Sequence, residues 1–362
     1  MARINRSWLA VSLLLSVIAF AGDVATGTDL SFAPFYLVSI AIATWRVGRG
    51  AGVTLALLSA GGWAAAERLG GRLYSRPHVF WWNLAMELAV FLIVALGLAR
   101  IRDGVVRQRE LSDQLETAYA QLDHEMRVVG DLQRDMLPAA APELPGYRIA
   151  VHYATSARSG GDYYDFFPMT QGREGVLIAD ASGHGASAAV LMAMTRAVLR
   201  GAPAPWPGPE VLIDALHEHL ERAIPVGQFV TACCAALDPG RGTLEVSLAG
   251  HPPPLLARPA GEIETLDGPG RPPLGIPVPG TGASRCWRIE RGDVLLLYTD
   301  GLTEARSPDG DMLGEERVRS CFARCRREPA ERIRDRLAAE LDQHLQGAPL
   351  ADDVTILVVA RT

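Results

Sequence analysis

The chain has 362 residues, which is enough for two or three domains of about 150 residues each. Its 35 basic residues are all arginine and its 41 acidic residues bring the net charge to −6, which argues against a nucleic-acid-binding protein with a basic face. A hydrophobic fraction of 49% excludes a largely disordered chain. Residues 1–100 hold eight Arg against four acidic residues, a net of +4, so residues 101–362 carry −10.

The chain opens with four apolar stretches, at residues 7–22, 30–45, 50–66 and 79–99. A spanning helix needs about 20 apolar residues, within a range of about 17–25, so the first two stretches are slightly short and the fourth is sufficient. We expect residues 1–100 to form a membrane region with four transmembrane helices. The alternative for the first stretch is a cleaved signal peptide, because Arg3 and Arg6 precede it and Ala19-Phe20-Ala21 fits a cleavage site.

Charges between the apolar stretches predict the orientation of this region. With four spans, both ends of the membrane region lie on the same side. Most flanking arginines lie on that side, so the excess of positive charge places both ends in the cytoplasm. Three arginines between the third and fourth stretches disagree with this orientation: Arg68, Arg72 and Arg76. Glu87 interrupts the fourth stretch and is interpreted either as a functional residue or as a protonated carboxyl bonded to a neighbouring helix.

Residues 101–138 have the pattern of a helical linker. Apolar residues recur there at alternating steps of four and three, and only Glu125 breaks the series: Leu111, Leu115, Ala118, Leu122, Val129, Leu132 and Met136. This heptad pattern favours a parallel coiled coil and therefore a homodimer. The alternative is a single amphipathic helix lying on its own catalytic domain. Pro138 and the AAAPELPG segment predict a domain boundary near residue 145.

Residues 145–362 are predicted to form a second domain of the α+β class, with antiparallel sheets covered by helices. The predicted strands are 148–155, 163–168, 175–180, 229–237, 243–248, 254–258, 293–299 and 354–360, and the predicted helices are 186–199, 209–223, 315–326 and 330–345. The five cysteines do not form a disulfide pattern, which favours a reducing compartment, and Cys321 and Cys325 are interpreted as packing residues.

Aspartates lie at the ends of several predicted strands, most of them beside glycine: Asp162, Asp180, Asp300, Asp352 and Asp353. Carboxylates placed in this way can converge on one edge of a sheet, and glycine permits the close backbone approaches that such an edge needs. A cluster of Asp without His or Cys suits the hard cations Mg²⁺ and Mn²⁺ rather than Zn²⁺. Each Asp-Gly pair alone is more often a plain turn, so the prediction depends on all of them occurring together.

The segment from about residue 132 to residue 361 resembles the SpoIIE/RsbU-type serine/threonine phosphatases, the bacterial branch of the metal-dependent PPM family. The matching segments are LQRDMLP (132–138), GGDYYDFF (160–167), DASGHGASAAVLM (180–192), FVTACCAALD (229–238), AGHPPPLL (249–256), PLGI (273–276), DVLLLYTDGLTEA (293–305) and ADDVTILVV (351–359). They cover the whole second domain.

The resemblance implies an α-β-β-α sandwich with two Mn²⁺ or Mg²⁺ ions between the sheets. Asp162, Asp180 and Asp300 match the metal-binding aspartates of the family, and the backbone carbonyl of Ala181 takes the place of a further ligand. In the last motif Asp352 is favoured and Asp353 remains open. Two ions bridged by Asp180 would lower the pKa of a shared water, which would then attack phosphorus in line.

Three other residues are weighed for the reaction. His184 either protonates the leaving oxygen, which makes it a catalytic candidate beside Asp180 and Asp300, or simply caps or packs a helix start. His251 is interpreted as a turn residue, and Arg158 is the nearest candidate for a phosphate contact.

The resemblance also implies a phosphoprotein substrate, a STAS-type anti-sigma-factor antagonist, and a catalytic domain in the cytoplasm below the inner membrane. The GGDYYD segment is superficially similar to a diguanylate cyclase signature, but Tyr163 stands where that chemistry needs an acidic residue. A membrane receptor that only binds a phosphoprotein is the other alternative. We expect the linker to transmit a membrane signal by reorienting the helix at 186–199.

Overall fold

The computed structural model describes residues 2–26, 30–70, 76–183, 185–202, 205–225 and 227–362. These residues form two compact units, 1–119 and 120–362.

The first unit is helical. Its helices are α1 (Ala2–Thr26), α2 (Ala33–Arg46), α3 (Arg49–Leu69) and the first part of α4 (Pro77–Met136). A shared core of buried side chains holds them together, and it includes Ala19, Tyr36, Ile40, Leu55, Trp63 and Phe91. The continuous α4 covers both the fourth apolar stretch and the predicted linker helix.

Two helices of the described residues are long and apolar enough to cross a membrane, at Arg6–Thr26 and in His78–Met136. The 14 residues of α2 extend about 21 Å at 1.5 Å per residue, which is less than the roughly 30 Å of a bilayer core. The 21 residues of α3 are long enough but not apolar enough. Length and composition therefore support two spanning helices, and four remain a prediction.

The second unit contains two antiparallel five-stranded sheets. Sheet 1 has the strand order β1-β10-β9-β6-β7 and sheet 2 the order β2-β3-β4-β5-β8. The strands of sheet 1 are β1 (Tyr147–Ala154), β6 (Leu255–Ala257), β7 (Ile263–Thr265), β9 (Val294–Tyr298) and β10 (Val354–Arg361). Those of sheet 2 are β2 (Tyr163–Met169), β3 (Arg173–Ala181), β4 (Val230–Asp238), β5 (Thr243–Ala249) and β8 (Ser284–Arg288).

Helices cover the outer face of each sheet. Helices α5 (Ala186–Gly201) and α6 (Pro209–Ala223) pack on sheet 2, and α8 (Glu315–Cys325) and α9 (Ala330–Leu345) pack on sheet 1. The short α7 (Asp300–Glu304) follows β9. A third core lies between the sheets, so the layers are helix, sheet, sheet, helix. The α+β prediction with antiparallel sheets is therefore confirmed.

The central strands have near-continuous apolar sequences because both of their faces are buried. In β10, Leu357 and Val359 lie in the core between the sheets, whereas Ile356 and Val358 contact the helices. This follows from the alternation of side chains along a strand.

Sequence patterns missed several short elements, among them two strands and one helix. Strands β7 and β8 lie at the outer positions of their sheets, and β8 is mostly exposed, so neither has a strong apolar pattern. Helix α7 has five residues, too few for a helical period. All the strands and helices that the sequence predicts for this domain are present, with ends shifted by a few residues at most.

Candidate metal centre

Strand pairing brings the predicted aspartates to one edge of the sandwich. In sheet 2, Tyr163 pairs with Ala179, so the start of β2 lies beside the end of β3. In sheet 1, Ile356 pairs with Tyr298, so the start of β10 lies beside the end of β9. Asp162 and Asp180 therefore come from one sheet, and the other sheet contributes Asp300, Asp352 and Asp353.

Asp162 joins the two sheets. Its carboxylate is only 1% exposed, and its Oδ2 accepts hydrogen bonds from the Thr299 hydroxyl at 2.8 Å and the Thr355 hydroxyl at 2.6 Å. Its other oxygen, Oδ1, is buried and has no hydrogen-bond partner among the described residues. Burial, followed by the charge of Asp180, raises the pKa of Asp162 well above its usual range, and the two threonine hydroxyls oppose that rise.

Gly161 allows the end of β3 to approach this carboxylate. A Cβ atom at Gly161 would lie 2.6 Å from the carbonyl oxygen of Ala181 and 3.3 Å from Oδ1 of Asp180. Only glycine avoids the first of these contacts. The Ala181 carbonyl and the Asp180 carboxylate thus face the same small space beside Asp162.

The cluster perturbs the ionisation of Asp180. Burial, followed by the charges of Asp300, Asp352 and Asp353, raises the pKa of Asp180 to about 7. Burial and the charge of Glu304 likewise raise the pKa of Asp300. Carboxylates that repel one another in this way keep their protons to a higher pH. A bound cation would offset the repulsion and stabilise the ionised carboxylates.

Asp300 is the first residue of α7, and the next residue fixes its position against β10. A Cβ atom at Gly301 would overlap the carbonyl oxygen of Asp353 and lie 3.4 Å from the carbonyl carbon of Asp352. The start of α7 therefore lies directly on the backbone of the Asp352-Asp353 pair.

Asp352 and Asp353 have different environments. Asp353 is 3% exposed: its Oδ1 accepts from the backbone N–H of Ser156 at 2.7 Å and from its hydroxyl at 3.1 Å, and its Oδ2 accepts from the Gly161 N–H at 2.5 Å. Asp352 is exposed, and its Oδ1 accepts from the Asp353 N–H at 2.8 Å. Both oxygens of Asp353 are thus used to hold the chain, whereas Asp352 lies at the surface of the cluster.

The donor set fits a hard divalent cation. All its atoms are carboxylate or carbonyl oxygens, and within the part of the chain that the structure describes the buried Oδ1 of Asp162 lacks a hydrogen-bond partner. Among the described residues, no three His, Cys, Asp or Glu side chains already form a coordination sphere. The carboxylates thus lie within electrostatic reach of one another, and their oxygens are the donors that such a cation prefers.

Three histidine and arginine predictions have different outcomes. His184 lies outside the described residues. His251 follows β5 in a bend, as expected, but it is buried and its Nδ1 lies 2.8 Å from the hydroxyl of Thr231, the residue that pairs with Asp180. Arg158 forms an ion pair with Asp123 of α4 at 2.8 Å.

Two cysteines and one further aspartate lie away from the carboxylate cluster. Cys321 and Cys325 are buried in the core between sheet 1 and its helices, as predicted, and both are free thiols. The second Asp of the GGDYYD segment, Asp165, pairs with Arg200 of α5 and lies outside the metal cluster.

Four residues that hydrogen-bond the site's carboxylates or the neighbouring Gly160 backbone were not predicted: Gln133, Ser156, Thr299 and Thr355. Thr299 stands directly before Asp300, and Thr355 stands two residues after Asp353. These positions beside predicted aspartates are the signal that could have identified them. Gln133 belongs to the LQRDMLP segment without a role assigned to it. No pattern distinguishes Ser156 from other loop serines.

Comparisons with known proteins identify relatives of this chain. The family model of Stage II sporulation protein E (SpoIIE) matches residues 170–362. Among curated proteins, the chain is 25% identical to the phosphoserine phosphatase RsbU of Bacillus subtilis, over 76% of this chain and 79% of RsbU. It is 26% identical to protein IcfG of Synechocystis, over 64% of this chain but only 40% of IcfG.

Solved structures show the same fold. The SiaA-PP2C domain of Pseudomonas aeruginosa is 20% identical with a TM-score of 0.59, over 68% of this chain and 98% of that one. The RsbU and RsbW domains of Rv1364c from Mycobacterium tuberculosis are 27% identical with a TM-score of 0.53, over 62% of this chain and 63% of that one.

The fold and the carboxylate cluster define the class: the second unit is a serine/threonine phosphatase domain of the PPM type. The chain belongs to the SpoIIE family. The recognised family is thereby confirmed.

Proposed function

We propose that the protein is a membrane-anchored, metal-dependent phosphatase that hydrolyses phosphoserine or phosphothreonine in a partner protein. The observation that carries the proposal is the meeting of aspartates from two opposed sheets, where burial and mutual repulsion raise the pKa of Asp180 to about 7. An all-oxygen site of this kind suits Mn²⁺ or Mg²⁺.

We assign the ligands residue by residue. Asp162, Asp180, Asp300, Asp352 and the Ala181 carbonyl would hold the ions, and Asp353 would hold the loops around them. Divalent ions bound there supply an activated water and neutralise phosphoryl charge. Thr299 and Thr355 keep Oδ2 of Asp162 occupied, so that Oδ1 is the atom left for an ion. His184 remains the candidate proton donor to the leaving oxygen.

We infer that the substrate belongs to a partner-switching pathway. RsbU is a phosphoserine phosphatase, and Rv1364c joins an RsbU domain to an RsbW domain. A STAS-type anti-sigma-factor antagonist is the substrate that the family resemblance implies. The negative charge of residues 101–362 is consistent with a protein partner rather than nucleic acid.

The outer faces of the first unit support a membrane region. Each of its four helices exposes large apolar side chains, among them Leu14 at 60%, Phe35 at 58%, Leu58 at 58% and Ile93 at 69%. A soluble helical bundle would present polar residues on these faces. We propose that all four helices are embedded in the inner membrane, with the short α2 held between its neighbours. We also propose that α1 is not cleaved as a signal peptide, because Ala19 belongs to the core that the helices share.

The linker part of α4 supports a homodimer. Its heptad leucines are exposed: Leu111 at 58%, Leu115 at 57%, Leu122 at 55% and Leu132 at 56%. A different stripe of the helix, containing Asp123, Gly130 and Gln133, contacts the catalytic domain. An amphipathic helix that merely lay on its own domain would bury the leucines. We therefore propose that they form a parallel coiled coil with a second copy.

The proposal is tested by measuring Mn²⁺-dependent hydrolysis of a generic phosphate ester and of a phosphorylated STAS protein by the full-length protein in detergent. Asp180→Asn should abolish both activities. Asp165→Asn, which changes an aspartate of the same segment outside the cluster, should retain the metal dependence. Activity that survived Asp180→Asn would contradict the assigned chemistry, and binding of the phosphoprotein without turnover would favour the non-catalytic receptor.

A further inference from the structure

Gln133 on α4 forms a two-point contact with the backbone of Gly160. Its Nε2 donates to the Gly160 carbonyl at 2.7 Å, and its Oε1 accepts from the Gly160 N–H at 3.0 Å. The side chain is only 4% exposed. A buried amide is stabilising only when its polar atoms are paired, and here the amide pairs with both groups of one residue, as a neighbouring strand would.

Gly160 lies two residues before Asp162 and directly against Asp353. A Cβ atom on Gly160 would lie 2.5 Å from Oδ2 of Asp353, and the same oxygen accepts from the Gly161 N–H at 2.5 Å. The backbone that Gln133 holds is therefore the backbone that sets the distance between Asp162 and the start of β10. Both backbone polar groups of Gly160 are thus paired with the one side chain of Gln133.

Two further contacts keep α4 against the same loop. A Cβ atom on Gly130 would overlap the carbonyl oxygen of Arg158, so the helix and the loop touch backbone to backbone. The Arg158 guanidinium donates to Asp123 at 2.8 Å. Asp123, Gly130 and Gln133 are seven and three residues apart, which places them on one face of the helix.

We propose that Gln133 is a positioning residue for the metal centre: by holding Gly160, it fixes the loop from Ser156 to Asp162 in the arrangement that binds the cations. The inference rests on the proposed function, because it concerns the ions of that site. It also makes metal affinity depend on the placement of the last turns of α4. Gln133 would orient metal ligands without binding the metal itself. Loss of such a residue typically weakens metal binding by about 10–100-fold.

The test compares Gln133→Met with Gln121→Met in full-length protein in detergent. Methionine keeps the length of the side chain and removes its hydrogen bonds. Gln121 is the matched control, because it is exposed on the same helix and its side-chain amide donates to Glu125 at 3.2 Å, away from the loop. Free Mn²⁺ is measured by electron paramagnetic resonance to give the dissociation constant, and phosphate-ester hydrolysis is measured at saturating Mn²⁺.

We expect the Mn²⁺ dissociation constant of Gln133→Met to rise by about 10–100-fold, with turnover at saturating Mn²⁺ restored to within a few-fold of wild type. Gln121→Met should match wild type in both. A purely structural role would lower the metal-free unfolding temperature and leave the dissociation constant unchanged, and that result would overturn the inference. If Gln133→Met fails to fold, Gly130→Ala is measured in its place, with the same results supporting or overturning the inference. This substitution keeps the Gln133 amide and only displaces the loop.

The two proposals fail differently. If the wild-type protein neither binds Mn²⁺ nor hydrolyses the ester, the proposed function is wrong. If wild type does both and a folded Gln133→Met binds Mn²⁺ equally well, only the role of Gln133 is wrong.

Discussion

The hydroxyl of Thr355 donates a 2.6 Å hydrogen bond to Oδ2 of Asp162, a residue 193 positions earlier in the chain. Thr355 belongs to β10 of sheet 1 and Asp162 precedes β2 of sheet 2. The bond therefore crosses the sandwich at the edge where the aspartates meet. It also favours the ionised form of a carboxyl group whose pKa burial raises.

Removing this hydroxyl should weaken metal binding. Thr355→Val keeps the shape of the side chain, and the Thr299 hydroxyl still bonds Asp162. The pKa of Asp162 should rise further, so we expect Mn²⁺ affinity to fall about tenfold, in line with the loss of one hydrogen bond to a charged group. Calorimetric titration with Mn²⁺ measures this affinity. Thr243→Val, at the far end of β5, is the control, and equal affinities in the two variants would contradict the prediction.

Asn substitutions should separate the roles of Asp352 and Asp353. Asp353→Asn disturbs three hydrogen bonds of a buried carboxylate, so we expect a loss of about 2–3 kcal/mol and an unfolding temperature lower by several degrees without metal. Asp352→Asn should leave the metal-free unfolding temperature unchanged and abolish Mn²⁺-dependent turnover. Thermal unfolding in EDTA and an activity assay distinguish them. The opposite pattern would make Asp353 the ligand.

Metal affinity should depend on pH through Asp180. Its folded-state pKa of about 7 is raised above the ordinary 3.8, so the folded protein keeps a proton that the unfolded chain loses. Without metal, stability should therefore fall as the pH rises from about 4 to about 7. Metal binding needs the ionised carboxylate, so the Mn²⁺ affinity should rise with pH up to about 7 and then level off.

Calorimetric titrations between about pH 5.5 and about pH 8 measure this dependence. Asp180→Asn serves as the control for the proton that Asp180 releases, and its residual Mn²⁺ binding should vary less with pH. An affinity for wild type that stayed constant below pH 7 would show that Asp180 is already ionised there.

The heptad leucines should hold two copies together. Replacing both Leu115 and Leu122 by Asp places four charges in the proposed seam and should convert a dimer into a monomer. Thr117→Asp puts a charge on the same exposed helix away from that seam and should leave the dimer intact. Light scattering after gel filtration in detergent gives the mass. A wild-type monomer would contradict the proposed coiled coil.

Much of the fold was predictable because its strands and helices are strongly patterned. Strand β10 and helices α6 and α9 match their sequence predictions almost residue for residue, since each has a long apolar pattern between clear end signals. The edge strand β8 was not predicted, because an exposed strand with few apolar residues has no pattern to detect. The helices of the first unit divide similarly: α1 and α4 are long and apolar enough to cross a membrane, whereas α2 is too short and α3 is not apolar enough.

The sequence by itself determined the family and the layered α+β class, and it predicted the aspartates of the candidate site, because these depend on residue types at fixed positions next to strand ends. Only the tertiary structure decided what holds each carboxylate. Asp352 and Asp353 are neighbours of identical chemistry, and only folding buries one against Ser156 and Gly161 while the other stays exposed. The partners of Asp162 and Gly160 are likewise distant in the chain, and hydrogen bonds across such separations leave no local pattern to read.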